Sequence, residues 1–208
     1  MPPTFPSHQG LVVPLWRRFP DHFNVLALYV GAATPDVVDA SLAPLKGSLG
    51  QWYGHTLLGS FVLCIPYGLA LTGLLLVLGG KLATTSWGRW VGNGIVSSYT
   101  FPSGCSRARR WRLLVWSVWI GALTHDLVDF ITHKKMIFFY PWYVNRDFFP
   151  EWWTREWFTI WLPGYREPYS AGWHLVSWVA FGILGILLFL WSIGLLPTRP
   201  RDMQSTRR

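Results

Sequence analysis

The stretch Thr124-His125-Asp126-Leu127-Val128-Asp129-Phe130-Ile131-Thr132-His133 holds two histidines and two aspartates among apolar neighbours. His125, Asp129 and His133 recur at i, i+4 and i+8, so on a helix they share one face, with Asp126 beside it. Imidazole nitrogen and carboxylate oxygen are both good ligands for Zn²⁺, and an HxxxD spacing presents one of each a turn apart. A second carboxylate pair, Asp36 and Asp39, follows Pro35 at i, i+3 spacing. Other chemistries use the same residue types. An Asp–His pair can relay protons within a membrane, two histidines on facing helices can hold a haem, and a single membrane histidine can serve as a hydrogen-bonded structural residue.

These residues sit in or beside runs long enough to cross a bilayer. A spanning helix needs about 20 mostly apolar residues. The runs from His55 to Gly80, Trp111 to His133 and Ser170 to Leu196 qualify. The segment from Asn24 to Ala43 starts apolar and ends polar, and a shorter arm, Gln9 to Phe19, precedes it. The turn Phe19-Pro20-Asp21 makes these two a helical hairpin. The fold expected is therefore all-α, a polytopic membrane bundle with about four spanning helices plus a short N-terminal hairpin arm. Residues 1–197 form one membrane-embedded domain, and 198–208 form a basic, disordered tail.

Composition agrees. Apolar residues make up 51% and charged residues 13% of the 208, about half the usual charged fraction. The 15 Trp residues suit a membrane–water boundary, where the indole ring keeps one polar edge wet. A formal net charge of +8 without any RRM, KH, zinc-finger or helix-turn-helix pattern excludes nucleic acid as the expected partner. Cys64 and Cys105 are expected to form neither a disulfide nor a CxxC metal site. The N-terminus is not expected to be a cleaved signal, because its apolar stretch is short and holds Pro14.

If the helices alternate in direction, twelve of the eighteen Lys and Arg residues fall on one side, including the RARRWR run at 107–112 and the C-terminal tail. That side is expected to be cytoplasmic. The RARRWR run serves either as a topology anchor or as a binding site for anionic lipid. On this topology His8, Asp36, His55, His125, His133 and His174 all lie near the opposite, outer end, and only His22 lies with the basic residues. Each aspartate within a membrane helix costs about 2.5–3.5 kcal/mol on insertion scales. A divalent cation is a direct compensation for so many polar groups at one level.

The loop from Lys134 to Tyr169 is dense in aromatic residues (FFYPWY, then FFPEWWTREWFTIW). Glu151 to Leu162 reads as an interfacial helix with Trp153, Trp157, Ile160 and Trp161 on one face and Glu151–Arg155 as an i, i+4 pair. Such a loop either packs as a lid or admits a lipid-like molecule.

The residues also carry a resemblance. Met1-Pro2-Pro3-Thr4-Phe5-Pro6-Ser7-His8, Ala33-Thr34-Pro35-Asp36, Gly54-His55-Thr56-Leu57-Leu58-Gly59 and Gly121 to Asp129 resemble an uncharacterised prokaryotic membrane-protein family of unknown function, whose members open on a TFSHPAAVLPL-like segment. The similarity covers nearly the whole chain apart from the C-terminal tail and the 82–110 loop. More remotely, the order His…Pro-Asp…His-Thr…HxxxD looks like the membrane-bound metal-dependent hydrolases and the helical zinc-dependent phospholipase C enzymes. That likeness implies a Zn²⁺ hydrolase in which His55, His125 and Asp129 are ligands and Asp36 is a carboxylate able to ligate and act as base. His8 and His133 match less closely. Trp178 stands where the phospholipase has an acidic residue four positions after the position of His174, so one or two ions are implied rather than a full cluster.

The resulting expectation is a membrane-embedded zinc-dependent hydrolase acting on an ester or phosphoester of a lipid-like substrate at the outer membrane face. Asp36 is its catalytic residue. His55, His125, Asp129, His8, His133 and His174 are its metal ligands, and Asp126 and Asp39 are secondary candidates. The alternative is a non-catalytic membrane protein whose His/Asp cluster is a structural network or a partner-binding site. A transporter is disfavoured because no inverted repeat is visible. Oligomeric state is not legible in the sequence.

Overall fold

The computed structural model describes residues 6–47, 51–133, 136–140, 142, 148–161 and 168–195. The expected tail at 198–208, the opening Met1–Phe5 and the loop lysines Lys134 and Lys135 lie outside them.

The N-terminal arm is two short helices, α1 (Ser7–Leu11) and α2 (Val13–Arg18), followed by a single 3₁₀ turn at Pro20–His22. Next come α3 (Val25–Gly31) and α4 (Thr34–Lys46). The Asn24 side chain caps α3 by accepting from the Ala27 N–H. Pro35 in the first turn of α4 has no N–H to offer and its ring crowds the carbonyl of Gly31, so one continuous helix is not possible there. The two pieces bend by 43°, and together they pass as one broken span.

The expected helix from His55 to Gly80 is also divided. Tyr53–His55 is a 3₁₀ turn, α5 covers Leu57–Val62, and α6 covers Cys64–Ala83. Thr56 caps α5 by accepting from Gly59 N–H. Pro66 explains the break at Leu63, since it clashes with the carbonyl four residues earlier. A further helix, α7 (Arg89–Ser98), folds back onto α6 within the 82–110 region. The two backbones touch through glycine: a Cβ on Gly92 would lie 2.5 Å from the Gly79 carbonyl oxygen.

The central helix is α8 (Arg107–Thr132), capped by Ser106. After the aromatic loop, α9 (Glu151–Thr154) is a single turn. Strand β1 (Glu156–Ile160) then pairs antiparallel with β2 (Tyr169–Gly172), and α10 (Trp173–Ser192) follows. The expected interfacial helix over 151–162 is thus corrected. Helix ends before Arg155, so the Glu151–Arg155 helical pair does not form, and Trp157 and Ile160 lie on a strand. Aromatic and β-branched residues favour the extended chain when no long helical stripe competes. Likewise Ser170 belongs to β2, so α10 begins at Trp173.

Helices α6, α8 and α10 are long and apolar enough to cross a membrane, and the bent α3–α4 pair makes a fourth candidate. The protein is a helical membrane bundle, with the small hairpin as its sheet. Only 6% of the most apolar window of α10 is buried, against 44% for α8. So α10 presents most of its surface outward and α8 is the hub. Small apolar cores form around α8 and its neighbours: Ala27, Leu114 and Val118 in one, Val38, Cys64 and Ala122 in another.

Close glycine contacts fix the geometry. A Cβ on Gly121 would sit 2.3 Å from the Leu28 carbonyl oxygen, and one on Gly31 would sit 2.3 Å from that of Val118. Helices α3 and α8 therefore cross backbone to backbone, as small residues allow in membranes. Gly10 and Gly185 do the same for α1 and α10. At the basic end, Asn24 ties the turn before α3 to its neighbours. Its N–H donates to Ser117 Oγ at 2.8 Å and its Nδ2 donates to the Thr100 carbonyl at 2.9 Å.

Candidate metal centre

The site lies at the end of the bundle away from Asn24. Helix α8 supplies His125 and Asp129 one turn apart, and α4 supplies Asp36 in its first turn. The 3₁₀ turn before α5 supplies His55. His55 and His125 are completely buried, and Asp129 nearly so.

The two Nε2 atoms of His55 and His125 are 3.2 Å apart. His55 Nε2 is 3.4 Å from Asp36 Oδ1 and 3.4 Å from Asp129 Oδ2. His125 Nε2 is 3.7 Å from Asp36 Oδ2 and 3.6 Å from Asp129 Oδ2. Zinc bonds of about 2.0–2.1 Å at tetrahedral angles put neighbouring ligand atoms about 3.3–3.4 Å apart. The distances among His55 Nε2, His125 Nε2 and Asp129 Oδ2 lie near that edge, while Asp36 approaches the two histidines through different oxygens, Oδ1 and Oδ2.

The far nitrogens explain why the near ones face each other. His125 Nδ1 is 2.8 Å from the Ala32 carbonyl oxygen. A carbonyl only accepts, so Nδ1 carries the proton and neutral His125 offers a lone pair at Nε2. His55 Nδ1 is 2.7 Å from Asp39 Oδ2, and that carboxylate also accepts from the Trp52 and Gly54 backbone N–H groups. Two lone pairs at hydrogen-bond distance do not bind each other. A proton or a cation must lie between them. Histidine ligands to metals nearly always donate their other N–H to a carboxylate or carbonyl, as both do here.

Ala32 ends α3 at the bend, where its carbonyl is free of the regular ladder. Asp39 lies one turn after Asp36 on α4 and is fully used in holding His55. Asp129 is further fixed by Gln51, whose Nε2 donates to Oδ2 at 2.6 Å. Gln51 and the Ala32 carbonyl were not legible in the sequence, because neither belongs to a His/Asp motif.

The second oxygen of Asp129 looks elsewhere. Oδ1 is 3.6 Å from His8 Nε2 and 3.5 Å from His133 Nδ1. His8 also stacks on His125, with ring centroids 3.9 Å apart, and it groups with His125 and Asp129 at ligand spacing. One Nε2 lone pair serves one ion, so a second ion would draw on His8, His133 and Asp129 Oδ1. Buried polar atoms without a hydrogen-bond partner include Asp36 Oδ2, Asp129 Oδ1 and His8 Nδ1. Such orphans are rare in folded proteins, and the first two point into these ligand groups. The donor set fits a divalent cation.

His174 and Asp126 are placed differently. His174 opens α10 with its Nε2 2.5 Å from the Ser170 carbonyl, and neither ligand group includes it. Asp126 is fully buried, neither oxygen has a hydrogen-bond partner among the described residues, and it too lies outside both groups.

The electrostatics follow from burial and neighbours. For His8, burial and then the nearby His125 pull the imidazole down to about 3, against the opposing pull of Asp129 and Asp36. For His55, burial works against the charged ring. Its hydrogen bonds to the carboxylates of Asp129, Asp36 and Asp39 outweigh it and hold His55 well above the ordinary histidine range.

Described residues of the aromatic loop pack against this end. The Leu57 N–H, opening α5, donates to the Phe138 carbonyl at 2.8 Å. Phe130, one residue beyond Asp129, packs on Phe138, Phe139, Phe148 and Phe149 with ring centroids 5.5–5.8 Å apart.

Residues 1–154 match the model of a domain of unknown function, DUF4184. The chain belongs to this family. The family match takes in the 82–110 region and every residue of both ligand groups, and it stops before β1, β2, His174 and α10. No curated protein and no solved structure matches the chain. The DUF4184 portion thus contains the whole candidate centre and three of the four candidate spans.

Proposed function

We propose that this protein is a membrane-embedded, zinc-dependent hydrolase of an ester or phosphoester in a lipid-like substrate. The observation that carries the reading is the facing pair of Nε2 atoms on His55 and His125, each with its Nδ1 committed to an acceptor and with carboxylate oxygens of Asp129 and Asp36 3.4–3.7 Å away. In this reading His55, His125 and Asp129 hold one zinc ion, and His8 and His133 with Asp129 Oδ1 hold a second where one binds. Zinc in such a site supplies a Lewis acid and an acidified water.

The chain's own residues do the rest. Asp39 and the Ala32 carbonyl fix the tautomers of the two histidines, and Gln51 fixes the rotamer of Asp129. Asp36 has the most accessible side chain of the four, 15% against 6% or less for the others. It therefore meets substrate first, takes the proton of the attacking water and returns it to the leaving oxygen. The lipid-like substrate is inferred from the setting: the site lies at one end of a membrane bundle, beneath an aromatic loop. The outer face is inferred from the excess of basic residues at the opposite end.

Elemental analysis of the purified chain against a His125→Ala/Asp129→Ala variant is the first test. One or two zinc equivalents in the wild type and little in the variant are expected. Equal content in both removes the site. Zinc-loaded protein is then screened against phospholipids, lipid phosphates and phosphodiesters. Hydrolysis is expected, and Asp36→Asn should lower turnover by about 10²–10⁴-fold. The close packing of the Phe130 cluster favours the non-catalytic alternative, in which the His/Asp cluster is a structural polar network or a partner-binding site. Zinc without turnover on any of these substrates would support that alternative.

A further inference from the structure

The RARRWR run takes no part in the metal centre, yet the structure divides its arginines into two kinds. Arg110 is spent locally: its Nε donates to the Cys105 carbonyl at 3.2 Å and its guanidinium lies 5.5 Å over the Phe101 ring. Arg109 and Arg112 instead line one end of a cavity of about 740 Å³. Neither makes an ion pair among the described residues. Asp21 and His22 complete its polar lining, so two arginines stand against one carboxylate and the mouth of the cavity keeps a positive balance.

The rest of the cavity is apolar, walled by Phe61 and Ile65 at the start of the α5–α6 unit and by indoles of α8 up to Trp119. From Arg109 to Trp119 the helix rises about 15 Å at 1.5 Å per residue, which is the depth of one leaflet of a hydrocarbon core of about 30 Å. A cationic mouth, an apolar wall of one leaflet's depth and a volume in the range of small-molecule sites describe a phospholipid. The groove ends before the metal centre, whose nearest ligand on α8 is His125.

We infer that the groove between α5–α6 and α8 holds one anionic phospholipid of the basic-side leaflet, its phosphate on Arg109 and Arg112 and an acyl chain along Phe61, Ile65 and Trp119. This lipid is distinct from any substrate of the metal centre, and the inference does not depend on that centre being catalytic.

The test uses the full chain in neutral detergent, titrated with phosphatidylglycerol or phosphatidylcholine, with bound lipid counted by native mass spectrometry. Phosphatidylglycerol is expected to bind on the order of tenfold more tightly. Arg109→Gln/Arg112→Gln should weaken it by roughly 30-fold at about 1 kcal/mol per cation, and each single change by a part of that. Arg89→Gln/Arg107→Gln removes the same charge outside the groove and should change little. Ile65→Trp, which fills the apolar wall, should weaken both lipids. Equal binding of the two lipids, equal loss in the control pair, unaltered binding in Ile65→Trp, or displacement by millimolar inorganic phosphate alone would each overturn the inference.

Discussion

Replacing Asp39 by Asn tests the logic of the metal centre without touching a ligand. In the wild type Asp39 Oδ2 accepts from His55 Nδ1 and from the Trp52 N–H, while Oδ1 accepts from the Gly54 N–H. All three partners are donors. Asn keeps the shape but offers one acceptor and one donor, so one side of this arrangement now sets donor against donor. If the amide nitrogen turns toward His55, Nδ1 must become the acceptor and the proton moves to Nε2, the nitrogen that faces His125. If it turns toward Gly54 instead, a buried backbone N–H loses its partner at a cost of about 1–3 kcal/mol. The first outcome removes a ligand lone pair. Loss of such an orienting carboxylate costs about 10–100-fold in metal affinity, or roughly 1.4–2.8 kcal/mol. Zinc competition against a chelator of known affinity measures this, alongside the melting temperature with and without zinc. Wild-type zinc affinity in Asp39→Asn, with a normal fold, would refute the argument that the His55 tautomer is set by Asp39.

Gly121→Ala should separate α3 from α8, since its Cβ would meet the Leu28 carbonyl oxygen at 2.3 Å. A stability loss of about 1–3 kcal/mol and lower zinc content are expected from thermal melts and elemental analysis, because His125 reads the position of Ala32. Zinc occupancy should fall as pH drops, beginning above the ordinary histidine range where His55 takes up its proton, because protons compete for the same Nε2 lone pairs. Occupancy that rises toward acid would exclude the histidines as ligands. Single-cysteine labelling in intact cells should find Thr154→Cys reactive from outside and Ser98→Cys silent, and the reverse pattern would invert the orientation.

The HxxxD spacing led to the centre because helical periodicity is local: once α8 is a helix, His125 and Asp129 must share a face. The convergence of Asp36, His55 and His8 on that face was legible only through the alternation of spans, which brings distant residues to one level. The orienting groups were harder to see. Asp39 showed as a carboxylate near Asp36, but its partner His55 lies across a turn that nothing in the sequence specifies. The Ala32 carbonyl has no sequence signature at all. It is available because Pro35 breaks the helix, and a proline break is readable while its beneficiary is not. The strand at Glu156–Ile160 was misread because its four aromatic and β-branched residues, Trp157 to Ile160, satisfy both periods. Helix α7 was overlooked because its ten residues are too few to span and its glycines lower helix propensity.

The broken α3–α4 pair also bears on how the chain enters the bilayer. Its first half is seven residues long and its second half brings Asp36 and Asp39 toward the hydrocarbon. The partners that neutralise those carboxylates arrive later in synthesis, with His55 and above all with His125 on α8. Until α8 emerges, the bent segment lacks the charge balance to integrate as a conventional span. Biogenesis is therefore expected to be non-sequential. The α3–α4 segment waits at the interface and moves inward against α8, so that completion of the polar cluster and acquisition of the final topology are the same event.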